Sequence, residues 1–145
     1  VIGVSVDSKD HVWIIHRPDS FNKRTEIGAA DTPPSGDCCT PAPPILEFDA
    51  AGNLIGHWGG PGQGYQWPES EHGIFVDAND FVWLAGNGKK DGQLLKFTMD
   101  GKFVLQIGKS GQGNDSNSTE RLGSPADVAV DVAAKEVFAQ LDAQK

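Results

Sequence analysis

The sequence predicts an all-β fold built from β-propeller blades, with two complete four-stranded blades and part of a third. Three segments carry nearly the same phrase: "GVSVDSKDHVWII" (3–15), "GIFVDANDFVWLA" (73–85) and "DVAVDVAAKEVFA" (127–139). In the first two an Asp precedes a Trp by six residues, and in the third Phe138 takes the place of the aromatic after a shift of one position. Similarity of this kind within one chain indicates a repeat architecture.

A second pair of similar segments interleaves with the first and supplies two more strands to each unit. "ILEFDAAGNLIGHWG" (45–59) matches "LLKFTMDGKFVLQIG" (94–108). The Asn, Asp and Gly residues between the apolar runs suit tight hairpins. Four antiparallel strands repeated every ~40–50 residues are typical of propeller blades. We therefore expect residues 73–107 to form one blade with Trp83 and Phe97 buried. Its predicted strands are Ile74–Val76, Phe81–Leu84, Leu94–Phe97 and Phe103–Ile107.

The repeat divides the chain into unequal units within a single partial propeller domain, 1–145. The last strand is expected to end near Ala139 and to be followed by a frayed or helical tail, since Ala, Lys, Glu and Gln favour helix. Closed propellers typically have about four to eight blades. We therefore expect the missing blades to come from a longer polypeptide or from self-association, most simply a two-fold homodimer. The predicted units are blade one at 1–60 with an insertion at 17–44, blade two at 72–108 and the partial blade three at 126–140.

The insertion in blade one is rich in proline and contains both cysteines. Residues 28–43 interrupt the repeat and are expected to be mobile and unnecessary for the blade core. Cys38 and Cys39 are adjacent, which excludes an ordinary unstrained disulfide between them and does not match the spacing of a zinc or redox pair. They are interpreted as loop thiols, with a strained vicinal disulfide or a crosslink elsewhere as the alternatives.

Composition restricts the partners of the chain more than it identifies them. The 145 residues carry 12 Lys plus Arg against 20 Asp plus Glu, a formal net charge of −8. Nucleic acids and anionic membranes both require clustered positive charge, so neither is an expected partner. The sequence has no apolar run of the length of a transmembrane helix and no recognisable signal peptide. The location is undetermined, and an extracellular or periplasmic one is slightly favoured.

Two recurring residue types in the repeat are interpreted as structural. Asp7, Asp77 and Asp131 each follow the first strand of a unit, where turn capping is expected rather than catalysis. Trp13 and Trp83 lie at equivalent strand positions and are expected in the core. For Trp58 and Trp67, beside glycine and proline loops, both a core position and a ligand-stacking role are considered. The histidines other than His72 have no ligand spacing among themselves and are expected at the surface or at strand ends; they are His11, His16 and His57.

The segment "HGIFVDANDFVWLAGNGKKDGQLLKFTMDGKFVLQIG" resembles a blade of the NHL-repeat propellers. The order of features resembles the first half of the peptidyl-hydroxyglycine amidating lyase family, whose members have six blades. The matching pieces are "VSVDSKDHVWIIHRPDSF", "PILEFDAAGNLIGHWG", the "HGIFVD" block and "LGSPADVAVDVAAKEVF". They cover most of the chain and exclude the Pro- and Cys-containing insertion.

The resemblance implies a metal site and one catalytic residue. The family holds zinc at the propeller centre with three histidines, and His72 matches one of them, although Glu71 stands where the family has Pro. Arg17 matches an active-site arginine. The resemblance further implies a calcium ion held by backbone carbonyls near Val4 and Ile74. The other two zinc histidines and the catalytic tyrosine of the family belong to later blades, which this sequence does not contain.

Structural alternatives stand beside both implied roles. His72 is alternatively interpreted as a polar residue that lines the central funnel and forms a hydrogen bond to a backbone carbonyl. Arg17 is alternatively interpreted as a rim arginine paired with a carboxylate such as that of Asp19.

Two functional hypotheses follow. The first is a binding or scaffold module that recognises a peptide or protein with its loops. The alternative is a metal-dependent lyase-like enzyme, with zinc and calcium as its cofactors, that is complete only in an oligomer or a longer parent chain.

Overall fold

The computed structural model describes residues 1–20, 41–111 and 118–142, and this part of the chain is all-β. Ten strands form three antiparallel sheets, and one 3-10 turn follows the second strand at Pro18–Ser20. Sheet one contains β1 (Gly3–Val6), β2 (Val12–Ile15), β3 (Ile45–Phe48) and β4 (Leu54–Trp58). Sheet two contains β5 (Glu71–Val76), β6 (Phe81–Gly86), β7 (Gln93–Thr98) and β8 (Phe103–Gly108). Sheet three contains β9 (Pro125–Asp131) and β10 (Glu136–Leu141).

Each sheet is a meander in chain order, and none of the described sheets closes on itself. The prediction that residues 73–107 form one four-stranded antiparallel sheet is confirmed, and Trp83 and Phe97 are buried as expected. The strands of sheet two extend one to three residues beyond the predicted bounds. No helix in the described part of the chain has the length and apolar character needed to cross a membrane.

An aspartate at the end of the first strand fixes the first hairpin of sheets one and two. Asp7 Oδ1 accepts hydrogen bonds from the backbone N–H groups of Lys9 at 2.9 Å and His11 at 3.0 Å. Its Oδ2 accepts the indole N–H of Trp13 at 3.1 Å. The turn-capping role predicted for this residue type is confirmed, because one carboxylate satisfies two turn donors and one core donor. Asp77 repeats the three bonds with Asn79 at 2.9 Å, Phe81 at 3.1 Å and Trp83 at 2.8 Å.

The core consists of two apolar layers that lie between neighbouring sheets. The layer between sheets one and two includes Trp13, Ile74 and Phe97, and the layer between sheets two and three includes Trp83 and Val128. Each Trp therefore projects from its own sheet toward the sheet that follows it in the chain. The expectation that both are core residues is confirmed.

The first strands of the three sheets lie side by side, β1 against β5 and β5 against β9. A β-carbon on Gly3 would lie 2.7 Å from the carbonyl oxygen of His72, and one on Gly73 would lie 2.7 Å from that of Ala126. Gly3 and Gly73 are equivalent in the repeat, so the same backbone contact joins each sheet to the next. Only glycine permits an approach this close.

Sheet three follows the repeat with a longer first turn. Phe138 pairs with Ala129 across the hairpin, in the position that Trp13 and Trp83 occupy in sheets one and two. This register confirms the one-residue shift inferred from the sequence. The prediction of a frayed or helical tail after Ala139 was wrong for the next two residues, because strand pairing continues through a bulge to Leu141 opposite Pro125.

The predictions for the proline-rich insertion fall largely on residues that the structure does not describe. Cys38 and Cys39 lie outside the described residues, as does most of 28–43.

Candidate functional site

A cleft runs along the first strands of the three sheets and brings three predicted site residues together. His72, Val4 and Ile74 all line it, with β9 residues on the far side. His72 Nδ1 donates a hydrogen bond to the carbonyl oxygen of Ala126 at 2.8 Å. With Nδ1 carrying the proton, Nε2 of the neutral ring has the lone pair. This is the backbone contact expected of a structural funnel residue, and it is also the contact that orients histidine ligands of metals.

The described residues do not fit a catalytic zinc centre by themselves. Such a centre takes three protein ligands and a water. All four histidines of the chain lie in the described ranges, but His11 forms a hydrogen bond with Glu47 and His16 with the carbonyl of Pro43, both at 2.8 Å. His57 lies on β4, the outermost strand of sheet one. His72 is therefore the single histidine that this chain supplies to the cleft.

Arg17 joins sheet one to sheet two at one end of the strands. Its Nε donates to the carbonyl oxygen of Glu71 at 2.8 Å, and its Nη2 donates to Oδ1 of Asn87 at 3.0 Å. Among the described residues it forms no ion pair with Asp19. The guanidinium thus contacts the residue that precedes His72.

The bond from Arg17 to Asn87 is part of a ladder across all three sheets. Asn87 Nδ2 in turn donates to Oδ2 of Asp142 at 3.2 Å. The three residues are equivalent in the repeat, because each lies four positions after the aromatic of its sheet, Trp13, Trp83 or Phe138. The last two residues also make corresponding backbone contacts. The N–H of Asn87 bonds to the carbonyl of Ser70 and that of Asp142 to the carbonyl of Ser124, both at 2.9 Å. Arg17 therefore takes part in hydrogen bonds that link neighbouring sheets.

A buried carboxylate that the sequence analysis did not identify organises the loops at the same end. Asp91 is 2% exposed and accepts hydrogen bonds from the backbone N–H groups of Glu69, Ser70 and Gly88 at 2.7–3.0 Å. The "NGKKDG" turn would have indicated a capping aspartate, but two of its three partners, Glu69 and Ser70, lie on a loop more than twenty residues earlier. Asp91 therefore joins the loop before β5 to the turn between β6 and β7.

Trp58 and Trp67 belong to an aromatic cluster around Phe97, together with Tyr65 and Phe103. The Trp58 and Phe97 ring centroids are 5.2 Å apart. Trp58 Nε1 donates to the carbonyl of Met99 at 3.0 Å, and Trp67 Nε1 donates to the Glu71 carboxylate at 2.8 Å. Burial raises the pKa of the Tyr65 hydroxyl. Both tryptophans therefore pack in the structure rather than presenting open stacking surfaces.

A second cluster of potential ligands lies at the opposite end of β1. His11 Nδ1 is 2.8 Å from Glu47 Oε1 and 3.6 Å from Asp7 Oδ2. Burial of Asp7 raises the pKa of its carboxyl, but the bonds from Trp13, His11 and Lys9 outweigh burial and leave this pKa below its ordinary value. Within the described ranges, these three residues form the one group of His, Cys, Asp and Glu side chains close enough to hold a metal ion together.

The sequence analysis missed this cluster because Glu47 follows His11 by 36 residues. The register of β2 with β3, which sets Glu47 opposite Trp13, is what brings them together.

Comparison with known proteins adds no assignment. No protein-family model matches the chain. No curated protein matches it at a significant level.

Proposed function

We propose that the three sheets are consecutive blades of an NHL-type β-propeller, and that the chain acts as a binding or scaffold module for a peptide or protein. The repeated contact of Gly3 and Gly73 with the following first strand supports a radial arrangement around a common axis. The ladder of Arg17, Asn87 and Asp142 supports the same arrangement at the rim.

The observation that carries the proposal is the exposure of the repeated aromatic. Trp13 is 0% exposed and Trp83 is 3% exposed, because the following sheet covers each of them, whereas Phe138 is 56% exposed. At the other end, Val4 and Val6 on β1 are 59% and 55% exposed. Each end of the described array therefore presents an apolar sheet face that a further blade or a partner would bury.

Burial of the exposed apolar side chains on these faces would favour association. Burying a side chain of the size of Phe or Val contributes about 1.5–3 kcal/mol. A partner that covers both Phe138 and its neighbours would reproduce the environment of Trp83. Such a partner is the next blade of a longer polypeptide or, for this chain alone, a second copy in a two-fold dimer.

Sedimentation velocity over a range of protein concentrations tests this proposal. We expect the wild-type chain to self-associate and the Phe138→Lys variant to do so at least about tenfold more weakly, the equivalent of 1.4 kcal/mol. Leu105→Lys is the matched control, because Leu105 is also exposed on an outer strand but lies away from both end faces. A wild-type chain that stays monomeric and binds no hydrophobic dye would contradict the proposal.

A second candidate is the metal-dependent lyase-like enzyme, and the orientation of His72 is what supports it. The carbonyl of Ala126 fixes the ring with Nε2 as the potential ligand, in a cleft that Val4 and Ile74 also line. Zinc would supply Lewis-acid chemistry there, with the remaining ligands coming from other blades or another copy. Metal content of the associated form separates the candidates: zinc that the wild type retains and His72→Ala loses supports the enzyme, and zinc content unchanged by His72→Ala opposes it.

A further inference from the structure

Sheet two contains a cation at a position where sheet one contains carboxylates. Lys96 Nζ lies 4.0 Å from Oδ2 of Asp77 and 3.9 Å from the ring centroid of Phe81. The ammonium thus supplies a counter-charge to a buried carboxylate, and the aromatic face adds a cation–π contact.

The corresponding residues of sheet one are Glu47 and His11. Glu47 pairs with Trp13 in β2 just as Lys96 pairs with Trp83 in β6. His11 follows Asp7 by four residues, as Phe81 follows Asp77. Where sheet two has an ammonium and an aromatic ring, sheet one therefore has a carboxylate and an imidazole. Two carboxylates, those of Asp7 and Glu47, therefore face the place that the Lys96 ammonium occupies in sheet two.

The three potential ligand atoms lie close to one another. One oxygen or nitrogen from each of Asp7, His11 and Glu47 lies within 4.8 Å of the others. Ligands of a tetrahedral zinc ion at about 2.0–2.1 Å from the metal are about 3.3 Å apart. The separations of 2.8 Å and 3.6 Å from His11 Nδ1 bracket this value.

The surroundings hold these groups in place and leave an entry path. The bonds from Trp13 and the turn fix the Asp7 carboxylate, whose side chain is 1% exposed. Glu47 Oε2 occupies a recess over Gly56, where a β-carbon would lie 2.7 Å from that oxygen. The His11 and Glu47 side chains are 24% and 16% exposed, so a hydrated ion has access to them.

We propose that Asp7, His11 and Glu47 bind a divalent transition-metal cation of the zinc class, with water completing the coordination. One imidazole nitrogen and two carboxylate oxygens form a donor set that zinc accepts. Zinc binding at Nδ1 would require the proton that His11 now donates to Glu47 to move to Nε2, which keeps the ligating imidazole neutral. The site lies at the end of β1 opposite to Arg17 and does not depend on the proposed function.

Isothermal titration of the full chain with Zn²⁺ near pH 7.5 tests the site. The double variant His11→Phe/Glu47→Lys copies the solution found in sheet two and is expected to fold while losing one zinc equivalent. Glu47→Gln, which preserves shape, should weaken binding by at least about tenfold, because second-shell changes alone cost about 10–100-fold. His72→Ala should leave this binding event unchanged, which separates it from any zinc bound in the cleft.

A reciprocal graft gives a positive test. Phe81→His/Lys96→Glu should create a second site of the same kind in sheet two and add one zinc equivalent. The proposal is overturned if the wild type and His11→Phe/Glu47→Lys bind zinc with equal stoichiometry and affinity.

Discussion

Replacing Gly73 with Ala should destabilise the chain by disrupting the contact between β5 and β9. The new β-carbon would lie 2.7 Å from the carbonyl oxygen of Ala126 and 2.8 Å from both Cα and Oδ1 of Asp127. Two of these three atoms belong to the backbone of β9, so no side-chain rotation removes the clash. Overpacking of this kind costs about 1–3 kcal/mol.

The net effect is smaller than the clash alone, because Ala restricts the unfolded chain. Gly-to-Ala changes stabilise by about 0.4–1 kcal/mol where the native backbone accepts them. We therefore expect Gly73→Ala to lower the free energy of unfolding by about 1–2 kcal/mol, the clash being partly offset by this gain. Urea denaturation followed by tryptophan fluorescence measures this as a lower midpoint at unchanged slope.

Gly123→Ala is the matched control for this experiment. A β-carbon on Gly123 would meet only Leu141 Cδ1 at 3.7 Å, an ordinary contact. This variant should be neutral or slightly stabilising. If Gly73→Ala were as stable as Gly123→Ala, the result would contradict the close packing of the first strands and the radial arrangement inferred from that packing.

Three further predictions concern the repeated polar residues. Asp77→Ala should cost about 2–4 kcal/mol in chemical denaturation, because it leaves two turn N–H groups and the Trp83 indole without their acceptor, and a buried orphaned donor costs about 1–3 kcal/mol. The pKa of Asp7 is depressed in the folded state, so its contribution to stability should be present above its ordinary pKa of 3.8 and be lost as the pH falls through the lower folded value. Denaturation at pH 2–6 should therefore show a smaller loss of stability with falling pH for Asp7→Asn than for the wild type. Arg17→Ala and Asn87→Ala should show a coupling free energy above about 0.5 kcal/mol in a double-mutant cycle, and strict additivity would argue against the ladder.

Strand positions were predictable because the signals that set them are local. An Asp, a polar turn and an aromatic six residues later define the hairpin within one short segment, and the structure shows the corresponding bonds in sheets one and two. Even the one-residue shift at Phe138 could be inferred, since the longer turn is visible in the sequence. The extension of β10 to Leu141 could not, because it depends on pairing with Pro125 rather than on propensity.

The side-chain clusters depended on contacts that the sequence does not encode locally. Arg17 finds its partner Glu71 54 residues away, and His11 finds Glu47 across the insertion. Both contacts follow from which residues the strands and sheets place opposite one another. The resemblance placed His72 in a central funnel, and the structure shows it in a cleft between first strands, but no sequence feature identified Ala126 as the acceptor of its proton.

The repeat itself provides a way to separate structural residues from candidates for function. Equivalent positions meet the same packing demands, so residues that stay the same, such as Asp7 and Asp77, are explained by the fold. When a position carries a different type of side chain in two sheets although the residues beside it are the same, the packing demands of the fold do not explain the difference. Glu47 is such a position, because the register and the Asp–Trp pair beside it match those of Lys96 while its charge is reversed. Sheet two has the Lys96 ammonium at this place and sheet one has the Glu47 carboxylate, and this reversal of charge is the observation on which the proposed zinc site rests.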